Sequence, residues 1–348
     1  VHEIDFLPVE NEDGDSSKSG DAIAMRFDSA ALGRQAVVVI DGGFTAIGEN
    51  LADHIRKYYG STHVDLVIST HPDTDHLNGL LTLLDNCSVD ELMIHLPWKH
   101  YRDADKLGNY EKIVAVYDKA IELGVTVTEP YAGAERFGGA IRILGPSLDY
   151  YNELLAEAIV EVTTGVADAR KTSFFGSLLT KGVKVLERVR ALYPSETLTN
   201  SDETSPRNKS SVITLLQVDG KRLMFTGDAG IPSLEAAADE YEAHVGAFSA
   251  YPLDLFQAPH HGSHRNVGPD ILDRILGPID HGFRKTDAYI SSAKNSEKHP
   301  SPKVTNALGR RGAGVYVTEG KTIAYWSPGT KRDGWGPITG IGPLEEDD

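Results

Sequence analysis

The segment Ser69-Thr70-His71-Pro72-Asp73-Thr74-Asp75-His76 places four ligand-type side chains within six residues. Imidazoles and carboxylates at that density, directly after an apolar run, suit a divalent cation better than they suit solvation alone. The plainer alternative is a turn in which Asp75 caps a following helix while both histidines face solvent. Three later segments weigh against it. Thr226-Gly227-Asp228, Ala258-Pro259-His260-His261-Gly262-Ser263 and His299-Pro300-Ser301-Pro302 each put a ligand-type residue just past an apolar run. Side chains at strand ends along one sheet edge can converge in space although they are distant in sequence. The candidate ligands are therefore His71, Asp73, Asp75, His76, Asp228, His260, His261 and His299. The residues alone leave open which of His260 and His261 ligates, and whether His299 is a ligand or a loop histidine ahead of two prolines.

Two divalent ions would hold a water, lower its pKa toward neutrality and offset charge on a leaving oxygen. Phosphoester cleavage asks mainly for such positioning and charge neutralisation. Asp75 could both ligate and orient the nucleophile, and His260 and His264 are the candidate general acids. Asn208, Ser210 and Ser211 precede a strand whose partner ends at Asp228, so they line the pocket as polar donors or cap a loop. The single cysteine, Cys87, lies outside these motifs and reads as a small packed residue, which disfavours soft-metal and redox chemistry.

The elements around these residues read as strands alternating with helices. Asp21–Phe27, Ala36–Ile40 and His63–Ser69 are β-branched or alternating apolar runs stopped by Gly, Asp or Pro. Gly48–Tyr59 and Tyr110–Leu123 read as amphipathic helices, the second leading to a strand at Val125–Thr128. Val212–Val218, Asp219-Gly220 and Arg222–Thr226 form a hairpin signal. Leu253–Gln257, Ala288–Ser292, Val315–Thr318 and Thr322–Trp326 complete the strands. Two strand-rich halves with intervening helices predict an α/β sandwich of two sheets covered by helices, in one domain spanning 1–348. The stretch 146–207 interrupts the pattern with helix-like segments at Leu148–Val162 and Gly176–Leu192 and a polar run at Ser195–Lys209. It reads as a helical insertion at the mouth of the site, ending in a mobile loop.

Composition bounds the partners. A formal charge of -17 argues against indiscriminate polyanion binding, because nucleic-acid affinity is built from phosphate neutralisation by Lys and Arg. The balance reverses between Arg170 and Lys209, so a local basic surface facing a substrate stays open beside a plain solvated one. No window approaches the ~20 apolar residues of a membrane span. A lone cysteine forms no intrachain disulfide, in keeping with a reducing cytoplasm. The chain opens at Val1 without methionine, which leaves a removed leader open.

Taken in order, Gly20-Asp21-Ala22, Ile40-Asp41-Gly42-Gly43, His71 to His76 with Leu77-Asn78-Gly79, Asn208 to Ser211, Phe225 to Asp228, His260 to Ser263 and His299 to Pro302 resemble the metallo-β-lactamase superfamily. Within it, the chain is similar to the soluble hydrolase domain of ComEC-type DNA-uptake proteins, apart from the helical insertion. The resemblance implies an αββα sandwich of two mixed sheets flanked by helices. It implies His71 and Asp73 on one metal, Asp75 and His76 on the other, and Asp228 bridging, with one of His260 or His261 completing the shell. It also implies that Asp41 orients a ligand imidazole, unless that residue simply ends a strand in a turn. Asp73 stands where the superfamily usually has a second histidine. This makes the site harder and more negative, favouring Mn²⁺ relative to Zn²⁺ without excluding zinc. The usual further histidine before the bridging Asp has only His95 and His100 as candidates, and neither follows the expected strand-and-loop context. The expected activity is a metal-dependent phosphodiesterase or nuclease acting on nucleic acid or a small phosphodiester. The alternatives are hydrolysis of an ester, lactone or amide, and a metal-stabilised module whose insertion docks a protein partner.

Overall fold

The computed structural model describes residues 1–13, 16–164, 195–279 and 286–346. Two seven-stranded sheets dominate it. The first is built from β1 (His2–Phe6), β4 (Ala22–Ser29), β5 (Arg34–Gly42), β6 (His63–Ile68), β7 (Ser88–Met93), β8 (Thr126–Thr128) and β16 (Ile323–Trp326), in the order β16-β1-β4-β5-β6-β7-β8. The second holds β9 (Glu135–Arg136), β10 (Ile141–Gly145), β11 (Ile213–Val218), β12 (Lys221–Phe225), β13 (Leu255–Gln257), β14 (Thr286–Ile290) and β15 (Ala313–Val317), in the order β15-β14-β13-β12-β11-β10-β9. A short antiparallel ribbon pairs β2 (Glu10–Asp13) with β3 (Ser16–Ser19).

Both sheets are mixed in the same way. β16 to β5 pair antiparallel and β5 to β8 parallel. In the second sheet β9 to β12 pair antiparallel and β12 to β15 parallel. Parallel neighbours all end at the same edge of a sheet, so each sheet gathers several strand-to-loop junctions there, where ligands of open α/β sheets bind.

The helices are α1 (Thr45–His54), α2 (Thr74–Asn86), α3 (Tyr110–Glu122), α4 (Leu148–Thr164), α5 (Pro206–Lys209), α6 (Ile231–His244), α7 (Pro269–Leu276) and α8 (Pro302–Arg310). One face of α1, α2 and α3 packs Ile47, Leu51, Leu80, Leu83 and Val116 with outward side chains of the first sheet such as Val39 and Val67. Likewise α6, α7 and α8 bring Leu234, Tyr241, Leu272, Val304 and Leu308 against Met224, Phe256 and Ala288 of the second. Between the sheets lies a third apolar layer of inward residues, including Phe6, Phe27, Ile40, Leu66, Phe225 and Tyr289. Phe6 sits 6.0 Å from Phe225 and 5.1 Å from Tyr289, ring centre to ring centre, and thereby joins the two halves. The layers are helix, sheet, sheet, helix, as the strand and helix pattern predicts.

The expected strands recur with shifts of a residue or two, and the hairpin turn is carried by Asp219 and Gly220, both with positive φ. The helix expected over Gly48–Tyr59 is split into α1 and a wider-wound turn, Ile55–Tyr59. The expected helix Gly176–Leu192 lies outside the described residues. β1, β7 and β10 have no counterpart in the pattern reading. β1 buries His2, Glu3 and Asp5, and β7 carries Asp90 and Glu91, so neither shows an apolar strand's alternation. No helix among the described residues is long and apolar enough to cross a membrane.

Candidate metal centre

The residues singled out by type and spacing meet at the ends of the parallel strands. His71 follows β6, Asp228 follows β12, and His260 and His261 follow β13. Asp73 occupies the cap position of α2, with the extended dihedrals of a cap residue, and Asp75 lies in the first turn. Carboxylates are favoured there by the positive end of the helix dipole. His76 then projects from the same turn and is wholly buried.

Asp228 is the hub. Its Oδ2 lies 3.5 Å from His71 Nε2 and 3.7 Å from His260 Nε2. Its Oδ1 lies 3.4 Å from His76 Nε2 and 3.9 Å from His261 Nε2. Asp73 Oδ2 adds to the first set at 3.7 Å from His71, and Asp75 Oδ2 to the second at 3.6 Å from His261 and 3.9 Å from His76. Such separations exceed hydrogen-bond length. They match the edge of a tetrahedral site, since bonds of ~2.1 Å put neighbouring ligand atoms ~3.4 Å apart. His71 Nε2, His76 Nε2, His261 Nε2 and Asp228 Oδ1 are buried and make no hydrogen bond. Buried polar atoms of a folded protein almost always find a partner. Four facing one another at cation-sharing distance therefore fit a divalent metal. Several groups of three side chains close enough to hold an ion result, among them His71-His76-Asp228 and Asp75-His76-His261.

The far side of each ring fixes its tautomer. His261 Nδ1 lies 3.0 Å from the Ser291 carbonyl, which can only accept, so the proton is on Nδ1 and the Nε2 lone pair faces inward. His76 Nδ1 donates to Asp41 Oδ2 at 2.8 Å. Thr70 gives its own hydroxyl proton to Asp41 at 2.6 Å and so accepts from His71 Nδ1 at 3.0 Å. Asp41 thus both ends β5 in a positive-φ turn and orients a ligand-type imidazole. His260 differs. The Asn208 carboxamide oxygen accepts from Ser205, which leaves its NH₂ group facing Asp228 Oδ2 at 3.2 Å and His260 Nδ1 at 3.1 Å. Nδ1 of His260 then accepts, and its proton sits on Nε2. Three successive positive-φ residues, His260, His261 and Gly262, wind this loop so that His261 is buried while His260 stays about one-third exposed.

Charge follows from this crowding. Burial opposes ionisation of Asp228, but the imidazoles of His260, His76, His261 and His71 outweigh it and hold the carboxyl well below its usual range. Burial likewise opposes charge on Asp75, but the imidazoles of His261 and His76 beside it outweigh this and bring its pKa to about 2.

Ser211 receives the Asp228 N–H at 3.1 Å, whereas Ser210 bonds the Arg207 carbonyl and so caps its own loop. The His299 ring lies 5.6 Å from that of His260 and 6.1 Å from that of His261, and belongs to none of the close ligand groups among the described residues. Burial pushes its pKa down to about 3. His264 is exposed and likewise outside these groups.

Two residues escaped the pattern reading as site residues. Asp21 is buried, with Oδ1 unpartnered and Oδ2 bonded by Gln257, and it falls within ligand distance of Asp228 and His261. Its signal was Gly20-Asp21: a Cβ on Gly20 would stand 2.3 Å from the Asp75 carbonyl. His95, contrary to expectation, does follow a strand, lying two residues beyond β7. It belongs to none of the close ligand groups among the described residues and lines a cavity of about 450 Å³ together with His71, Ile113, Tyr151, Leu154 and Leu155, with Arg207 and Arg265 also on its lining.

Residues 29–151 match the family model described as the metallo-beta-lactamase superfamily. No curated protein matches the chain. Solved structures similar to it include a CmlA beta-hydroxylase mutant (11% identity, TM-score 0.46, covering 93% of this chain and 53% of that one). A diphosphatase of the PhnP family (11%, TM-score 0.42, 94% and 98%) and the metallo-beta-lactamase fold protein YhfI of Bacillus subtilis (9%, TM-score 0.43, 93% and 98%) are others. The family match, with the two-sheet sandwich, supports the metallo-β-lactamase superfamily, whose members are generally metal-dependent hydrolases.

Proposed function

We propose that this chain is a metal-dependent hydrolase of small phosphodiesters, using two divalent cations, Mn²⁺ or Zn²⁺. The observation that carries this reading is the two sets of ligand-type side chains gathered on the two oxygens of Asp228, with His71 Nε2, His76 Nε2, His261 Nε2 and Asp228 Oδ1 buried and without hydrogen bonds. His71, Asp73 and Oδ2 would hold one cation; Asp75, His76, His261 and Oδ1 the other. Bound there, the cations supply Lewis acidity and lower the pKa of a coordinated water, which is what phosphodiester hydrolysis requires. The chain's own groups do the rest. Asp41 and the Ser291 carbonyl hold two imidazoles with their lone pairs inward. Asn208 steadies Asp228 and orients His260 so that its Nε2 N–H, at the partly open side of the site, can donate a hydrogen bond to a leaving oxygen. This assigns His261 as ligand and His260 as a hydrogen-bond donor to the leaving oxygen.

A nuclease is the second reading, favoured by the ComEC-type resemblance. The described cations around the site are matched locally: Arg207 meets Asp73 at 2.7 Å, Lys209 meets Asp202 at 2.7 Å and Arg265 meets Glu203 at 3.4 Å. Polyanion binding would rest on Lys181, Lys184, Arg188 and Arg190, which lie outside the described residues.

The test is turnover of bis-p-nitrophenyl phosphate by metal-stripped protein before and after Mn²⁺ or Zn²⁺ is restored, beside a lactone substrate. Diester cleavage only with metal is expected; lactone cleavage alone would replace the reading. His261→Ala should lower bound metal, while His260→Ala should keep metal and lose turnover about 100-fold.

A further inference from the structure

The cavity beside the ligand cluster has a floor that hydrolysis at Asp228 does not use. His71 belongs to both: one ring wall lines the cavity while its Nε2 faces Asp228. From there the space runs along α4, past Tyr151, Leu154, Leu155 and Ala158, toward Ile113 of α3. About 450 Å³ lies in the range of small-molecule sites.

The lining also carries polar side chains, Glu161, Glu203, Arg207 and Arg265 among them, and His95 is the one set against the aromatic rings. His95 is 5% exposed, and its ring stacks on Tyr151 at 4.3 Å and 18° and lies 5.3 Å from the Tyr131 ring. Neither of its nitrogens forms a hydrogen bond; the Ser210 backbone comes near without completing one. A neutral imidazole offers one donor and one acceptor. Buried and unpartnered in the wall of a cavity, it marks where a ligand's polar atom would sit.

We propose that this cavity is a specificity pocket. It takes a ring-bearing apolar arm of a small phosphodiester, and His95 hydrogen-bonds a hydroxyl or carbonyl on that arm. The phosphodiester half of this assignment rests on the function proposed above; the ring-binding half stands on the cavity itself. The pocket explains how a chain with net charge -17 recognises an anionic substrate, since selectivity comes from the arm rather than from a field of basic residues.

The first probe is 2-naphthol, a ring system with one hydroxyl, titrated calorimetrically into metal-stripped full-length protein. One-to-one binding is expected. Ala158→Trp, which fills the cavity from a partly exposed helix position, should weaken it at least tenfold. His95→Phe, which keeps the ring and removes the nitrogens, should weaken it about tenfold. Circular dichroism and metal content after reloading confirm that each variant is folded. The second probe compares kcat/KM for 2-naphthyl p-nitrophenyl phosphate and methyl p-nitrophenyl phosphate in the loaded enzyme. The wild type should prefer the naphthyl ester, and Ala158→Trp should cut that preference at least tenfold. Absence of naphthol binding, or equal binding by wild type and Ala158→Trp, overturns the proposal. Naphthol binding that Ala158→Trp abolishes, with neither diester cleaved under any metal, upholds the pocket and overturns the phosphodiester reading alone.

Discussion

Asp41 touches no reacting group, yet three hydrogen bonds make it the pivot of the first ligand segment. It accepts the Thr70 N–H at 2.8 Å, the Thr70 hydroxyl at 2.6 Å and His76 Nδ1 at 2.8 Å. Through Thr70 it also sets the tautomer of His71. A carboxamide in its place presents an NH₂ group to at least one of these donors, and His76 is then free to turn or to move its proton to Nε2. Groups that orient metal ligands typically contribute 10–100-fold in affinity. Asp41→Asn should therefore weaken divalent-cation binding by about that factor in a competition with a fluorescent chelator, while leaving the fold intact by circular dichroism. Affinity within twofold of wild type would show that the imidazoles are held by packing alone.

At the scale of elements, the ligand loops owe their positions to close backbone approaches. Gly42 ends β5, Gly48 lies in α1 and Gly79 in α2, and the three touch. A Cβ on Gly79 would fall 1.9 Å from the Gly42 carbonyl, and one on Gly48 would fall 2.1 Å from the Gly79 carbonyl. No side-chain rotation relieves a clash with backbone, so Gly79→Ala must push α2 away from β5 and carry Asp75 and His76 with it. Unfolding in urea should show a loss of about 3 kcal/mol or more, in the range of severe packing defects. A loss under 1 kcal/mol would mean that α2 is free to slide. Much of this architecture was legible, because β4, β5, β6, β11 and β12 bury most of their residues and read as largely apolar or alternating runs closed by Gly, Asp or Pro. The ligand segments were legible because rare residue types recur at strand ends. β1 and β7 were not, since their buried or half-buried carboxylates are balanced by partners far along the chain. Glu91 is met by Arg136, and Asp5 by Arg332. Neither pairing leaves a periodic trace. His95 was lost with β7, because a histidine's context is visible only once the strand before it is recognised.

The whole molecule is two half-sandwiches joined at their inner faces, and two ties bear on its stability. The first is ionic and lies within the first half: Arg332, which follows β16, is almost fully buried against Glu3 and Asp5 of β1. Burial alone would raise the Asp5 pKa; hydrogen bonds from His54 and Arg332 outweigh it and hold it below its ordinary value. A carboxyl with a lowered folded pKa contributes stability that is fully present above its unfolded value, near 4, and is lost as pH falls through the folded value. Wild-type urea midpoints should accordingly fall below pH 4 more steeply than those of Asp5→Asn, which at pH 7 should already be destabilised by about 3 kcal/mol. Parallel pH curves would remove Asp5 from the acid response. The second tie is the candidate metal centre itself. His71, Asp73, Asp75 and His76 come from the first half and Asp228 and His261 from the second, and without a cation the buried carboxylates of Asp21, Asp75 and Asp228 repel one another. A cation bound only by the folded state adds stability by mass action, about 2.7 kcal/mol at a hundredfold excess over its Kd. For a chain of this length that is a rise in Tm of about 4 °C. Chelator-treated protein should regain this increment when Mn²⁺ or Zn²⁺ is added, and Asp228→Ala should gain little or none. An equal rise in both proteins would place the cation elsewhere on the surface and break the link between this centre and the joining of the halves.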